Sequence, residues 1–80
     1  MLMNFLKAKV QKYYEKKLSD AQQKLKFHAE IKNQLDLQLK RANEEETSEI
    51  REKIQTQVDF MDIWEKNIRE INKQFKKLKS

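Results

Sequence analysis

From Ile50 to Leu78 the chain repeats one interval pattern without a break: Ile50, Ile54, Gln57, Met61, Trp64, Ile68, Ile71, Phe75 and Leu78 alternate steps of four and three residues. A helix places such positions on one narrow stripe, and an apolar stripe of that kind buries itself against another helix. Gln57 is its single polar member. The pattern therefore demands a helical partner surface, supplied by the same chain or by another.

The first half of the chain offers a matching stripe: Tyr14, Leu18, Ala21, Leu25, His28, Lys32, Leu35, Leu39 and Ala42. Gly, Pro and Cys are all missing from the 80 residues. Without the residues that punctuate turns, long uninterrupted helices are the default. The chain is polar, with 39% charged residues against 38% hydrophobic, yet large seam residues such as Leu25, Trp64 and Phe75 set it apart from disordered tracts.

The expectation is an all-α, coiled-coil-like antiparallel hairpin forming a single domain over residues 1–80. Helix 1 spans about 3–42, a turn occupies 43–46, and helix 2 spans about 47–79. Asn43 is expected to end the first helix in the left-handed conformation, with Thr47 or Ser48 capping the second. Folding there makes seam residues whose numbers sum to 89 face each other. Leu25 then meets Trp64, small Ala21 meets Ile68, Tyr14 meets Phe75, and polar Lys32 meets polar Gln57. The rival architecture is one continuous rod of about 120 Å, paired with copies of itself.

The register leaves Met1 to about Val10 overhanging as a frayed end or a sticky one. Met1, Leu2, Met3, Phe5 and Leu6 lie in it.

One seam between two helices makes a thin core, worth no more than ~3–5 kcal/mol. Off the seam, Phe27, Ile31, Phe60 and Ile63 fall on the flank that an antiparallel pair presents on one side. These four are the candidate partner-binding residues. They point to a homodimer forming a four-helix bundle, or to docking on a larger protein.

Charge is arranged in blocks. Residues 1–26 carry net +5, residues 27–65 net −5 and residues 66–80 net +5. A hairpin brings both basic blocks to its open end and three glutamates to its loop. In an antiparallel dimer each basic end would lie beside the other copy's acidic loop. The open end also supports an alternative, electrostatic binding of nucleic acid or of an anionic membrane surface. Lys12, Tyr13, Lys16, Lys17, Lys73, Lys76 and Lys77 would carry it, lysines tracking phosphates and the ring stacking on bases. With only Arg41, Arg51 and Arg69, bidentate base readout is poorly provided for. A membrane version would insert Met1, Leu2, Phe5 and Leu6 beneath Lys7, Lys9 and Lys12.

Catalytic signatures are weak. His28 is the sole histidine and sits in the seam, where it reads as a core residue with a satisfied hydrogen bond, or as a pH-responsive packing element. Asp59, Asp62 and Glu65 recur on one helical face but have no histidine beside them, so they read as a solvated face. Ser19 and Asp20 lie too loosely related to His28 for a triad. No glycine-rich loop exists to cradle a phosphate. The expectation is a non-enzymatic protein without cofactor, metal or small-molecule substrate, acting as an adaptor, assembly factor, small chaperone or inhibitor. No stretch approaches the ~18 apolar residues of a membrane span. The apolar start is interrupted by Lys7 and Lys9 and lacks a small-residue cleavage site, so a cytoplasmic location is expected.

Overall fold

The computed structural model describes the backbone of residues 2–79 and the side chains of residues 5–78. Two helices make up the fold, α1 (Leu2–Arg41) and α2 (Glu44–Lys79). They lie side by side in a hairpin 65 Å long and 15 × 12 Å across. A continuous rod of this length of chain would run to about 120 Å, so the doubled-back form holds.

The turn differs from its expected form. It comprises Ala42 and Asn43 alone, and α2 begins three residues earlier than the spacing suggests. Among the described residues none has a positive φ, so α1 does not close on a left-handed Asn43. Instead the last turn of α1 tightens, with Ala42 N–H donating to the Leu39 carbonyl at 3.3 Å. Asn43 is the N-cap of α2. Its Oδ1 accepts the Glu46 backbone N–H at 2.9 Å, and its Nδ2 donates to Glu46 Oε1 at 3.0 Å. This reciprocal pair satisfies an exposed helix-end donor and holds the glutamate in place, as in a capping box. Thr47 does not cap; its hydroxyl donates back to the Asn43 carbonyl at 2.8 Å. Glu44, Glu45 and Glu46 fill the first turn of α2, where the helix dipole favours negative charge.

The two seams meet along the hairpin. Ala21, Leu35, Ile50 and Ile71 are buried, and the remaining seam residues from Tyr14 to Ala42 and from Ile54 to Phe75 are half-buried. The register is visible in the rings: Tyr14 lies edge-on to Phe75, their centres 6.2 Å apart. Ala21 is the most enclosed side chain, at 2% exposure; its small size opposite Ile68 lets the helices approach. Leu78 departs from the seam and stays exposed, because the register sets it against Gln11. Ala29 and Val58 are half-buried on the opposite flank and widen the core there.

The polar layer is also rearranged. Gln57 does not pair with Lys32. Its Oε1 accepts a hydrogen bond from His28 Nδ1 at 2.7 Å, and Lys32 turns along its own helix to Asp36 at 2.9 Å. An acid one turn away satisfies the lysine without drawing its ammonium into the seam. No buried side-chain N or O among the described residues lacks a partner.

Candidate interaction surface

The surface is built around His28. Its Nδ1–H is fixed by Gln57, and its ring lies flat against Phe60 with centres 4.7 Å apart. Phe27 meets the imidazole edge-on, their centres 5.2 Å apart. The histidine thus links an aromatic of α1 to one of α2. The two aromatics nevertheless keep much of their area in solvent: Phe27 is 57% exposed and Phe60 42%. Ile63, one turn further along α2, is 57% exposed, while Ile31 on α1 is half-buried.

The heptad positions explain the convergence. With Leu25 and Met61 at position a, Phe27 and Ile63 occupy c, and Ile31 and Phe60 occupy g. In an antiparallel pair the c and g flanks of both helices lie on one side. Close to this cluster, the Lys24 ammonium sits 4.5 Å from the centre of the Trp64 ring in a cation–π contact. Asp20, Gln23, Lys24 and Phe27 line a shallow open depression beside it.

The basic residues occupy the other half of the molecule. Tyr13 is 55% exposed, sits edge-on to Tyr14 with centres 5.3 Å apart, and has the Lys17 ammonium 5.1 Å from its ring centre. Lys12, Lys16, Lys17, Lys73, Lys76 and Lys77 are all exposed. They are distributed around the two helices rather than aligned on one face, giving a broadly positive end. Phe5 and Leu6 are exposed here too, at 59% and 55%, with Lys9 held 5.0 Å over Phe5. The side chains of Met1, Leu2 and Met3, part of the expected sticky end, lie outside the described residues.

Two features escape a reading based on the seams. The Lys24–Trp64 contact joins a g position to a d position across the interface, and seam matching alone does not anticipate it. Leu6, Val10 and Tyr13 lie on the same flank of α1 as Phe27 and Ile31. Their spacing of four and three was the available signal.

Among the described residues no group of His, Asp or Glu side chains is placed to hold a metal ion. Asp59 accepts a hydrogen bond from Gln55 at 2.9 Å on an exposed face. Among the described residues no helix is long and apolar enough to cross a membrane. No protein-family model, curated protein or solved structure shows a significant match to this chain.

Proposed function

We propose that the protein is a non-enzymatic protein–protein interaction module that works by pairing helices through the face formed by Phe27, Ile31, Phe60 and Ile63. The observation that carries this reading is the exposure of Phe27, Phe60 and Ile63 around a histidine already held by both helices. Apolar groups clustered on one face of a slender protein favour a contact surface. The thin core adds a second reason, since a further layer of helices would cover what one seam leaves open. An adaptor, assembly factor, small chaperone or inhibitor would use such a face in the same way. The test is Phe60→Asp combined with Ile63→Asp. Association, read as mass by light scattering, is expected to vanish while far-ultraviolet circular dichroism retains its helical signal. Unchanged mass and unchanged partner capture would reject the face.

A second reading is supported by the two basic blocks at the open end and by the Lys17–Tyr13 pair. On that reading the end binds a polyanion such as nucleic acid or an anionic membrane surface, with affinity that falls steeply as salt rises. Retention on nucleic acid at low salt, removed by replacing Lys12, Lys16, Lys17, Lys76 and Lys77 with Gln, would support it.

A further inference from the structure

Beside its seam, α1 carries a second ladder of eight residues: Leu6, Val10, Tyr13, Lys17, Asp20, Lys24, Phe27 and Ile31, in alternating steps of four and three. It lies on the flank that also presents Phe60 and Ile63 of α2. Leu6, Tyr13 and Phe27 are each more than half exposed, Val10 is 36% exposed, and Lys17, Asp20 and Lys24 are all exposed. From Leu6 to Ile31 the ladder runs about 38 Å at the helical rise.

The order of chemistry along it is self-complementary. Read from the two ends, members whose numbers sum to 37 match: Leu6 with Ile31, Val10 with Phe27, Tyr13 with Lys24, and Lys17 with Asp20. Two pairs are apolar, one sets an ammonium against an aromatic ring, and one is an ion pair. We infer that the occupant of this face is a second copy of the same chain, its α1 lying antiparallel along the first in that register. The inference rests on the interaction-module reading above and names its partner.

Other arrangements fare worse on the same residues. A parallel copy sets Lys17 on Lys17, Asp20 on Asp20 and Lys24 on Lys24, which is repulsive at three successive layers. Sliding the antiparallel copy by one heptad sets Leu6 and Val10 against Gln38 and Gln34, and Lys17 against Phe27. Sliding it the other way sets Leu6 against Lys24 and Val10 against Asp20. The ladder also has the right alternation for an antiparallel seam, because each matched pair joins a g position to a c position, the equivalent of the a–d layers of an ordinary antiparallel pair.

The shape agrees. The depression lined by Asp20, Gln23, Lys24 and Phe27 lies where Val10, Tyr13 and Lys17 of the second copy arrive. Phe60, stacked on His28, extends the apolar floor beneath Val10 of that copy. The twofold axis passes between Leu18 and Ser19, giving an isologous interface. It sets residues 11–26 of the two copies side by side, so the basic blocks overlap there and the two Lys17–Asp20 pairs offset part of their repulsion, while residues 5–10 lie against 27–32 of the other copy, where Glu30 and Lys32 balance.

Because the chain has no cysteine, the register can be read by cross-linking. A Val10→Cys and Phe27→Cys double variant places two thiols about 25 Å apart on one helix, too far to bridge within a copy. Mild oxidation is expected to give a covalent dimer, whereas V10C with Q34C, the register one heptad away, is expected to stay largely unlinked. In sedimentation equilibrium K17D is expected to weaken dimerisation by about tenfold, summed over two symmetry-related pairs. K17D with D20K is expected to restore it. A native chain that sediments as a monomer up to about 100 µM, well above the micromolar range of weak interfaces, would overturn the inference. So would faster linkage of V10C/Q34C than of V10C/F27C, or a charge-swapped pair no better than K17D alone. A monomer that nonetheless loses a heterologous partner through F60D/I63D would remove the second copy while leaving the broader interaction reading in place.

Discussion

His28 Nδ1 and Gln57 Oε1 stand 2.7 Å apart across the helix interface, a side-chain hydrogen bond that joins α1 to α2. Oε1 can only accept, so Nδ1 carries the proton, and the imidazole plane is fixed facing Phe60. The bond therefore orients the ring on which the candidate contact surface rests. It also supplies a polar layer that is satisfied in one register and unsatisfied in its neighbours, the use for which buried polar pairs in helical seams are best attested.

Removing one partner of that bond is expected to cost more than removing both. Gln57→Ala leaves Nδ1–H facing an apolar seam and should destabilise the hairpin by about 1–2 kcal/mol. Replacing His28 and Gln57 together with Leu should be near neutral or stabilising, because no polar group is then stranded. Urea unfolding of the three proteins checks the order. A double variant less stable than Gln57→Ala would mean the pair contributes net stability.

Asn43 holds the turn through both atoms of its amide, so its replacement should be felt in proportion to what is lost. Asn43→Ala removes the Oδ1 acceptor and the Nδ2 donor and should cost about 1 kcal/mol, within the usual range for an N-cap. Asn43→Asp keeps the acceptor for the Glu46 N–H but sets a second carboxylate against Glu46 Oε1. Its loss should be smaller than that of Ala at high salt and should approach it at low salt. Thermal melts at two ionic strengths distinguish the two substitutions.

Ala21 and Ile71 are the two most enclosed side chains, at 2% and 6% exposure, and errors of either sign should be costly there. Ala21→Leu forces a larger group against Ile68 and should cost about 1–3 kcal/mol. Ile71→Ala opens a cavity at a loss of about 2–4 kcal/mol. Against a two-helix core worth ~3–5 kcal/mol, the second change should leave the chain only marginally stable, with a substantial unfolded fraction at low concentration. If self-association contributes, its helicity should return as concentration rises. Circular dichroism over a hundredfold dilution series makes that measurement.

Which parts of this fold can be read from residue order follows from what the seams encode. Alternating apolar spacing fixes which face each helix buries, so Leu35, Ile50 and Ile71 fall where the pattern puts them. Spacing says nothing about how a polar side chain chooses among partners. Lys32 lies near Gln57 by register, yet Asp36 on its own helix satisfies it, and His28 takes the glutamine instead. The turn departs from its expected form for a related reason. Asn serves both to end helices and to begin them, and only the Glu46 amide and carboxylate, brought back within 3.0 Å, decide between the two. The four-residue flank patch was legible because heptad letters place it. Its continuation through Leu6, Val10 and Tyr13 was hidden among lysines that look like a simple basic block.

Ile63 and Trp64 are sequence neighbours with opposite exposure, and substitutions there separate folding from the proposed contact. Trp64 is half-buried in the seam beneath Lys24. Trp64→Ala should therefore lower stability by about 3 kcal/mol, the low end for a large aromatic because part of the ring is in solvent. Ile63 is 57% exposed, and Ile63→Asp should change the stability of the isolated hairpin by no more than about 0.5 kcal/mol. The same aspartate placed inside a helix–helix contact would be desolvated without a partner, so association should weaken by at least tenfold. Phe60→Asp is a less clean probe, since it also removes the ring stacked on His28. Unfolding curves at low concentration and light scattering at high concentration give the two readings. If Ile63→Asp leaves assembly intact while Trp64→Ala abolishes it, the flank is merely solvated surface and the seam alone governs association.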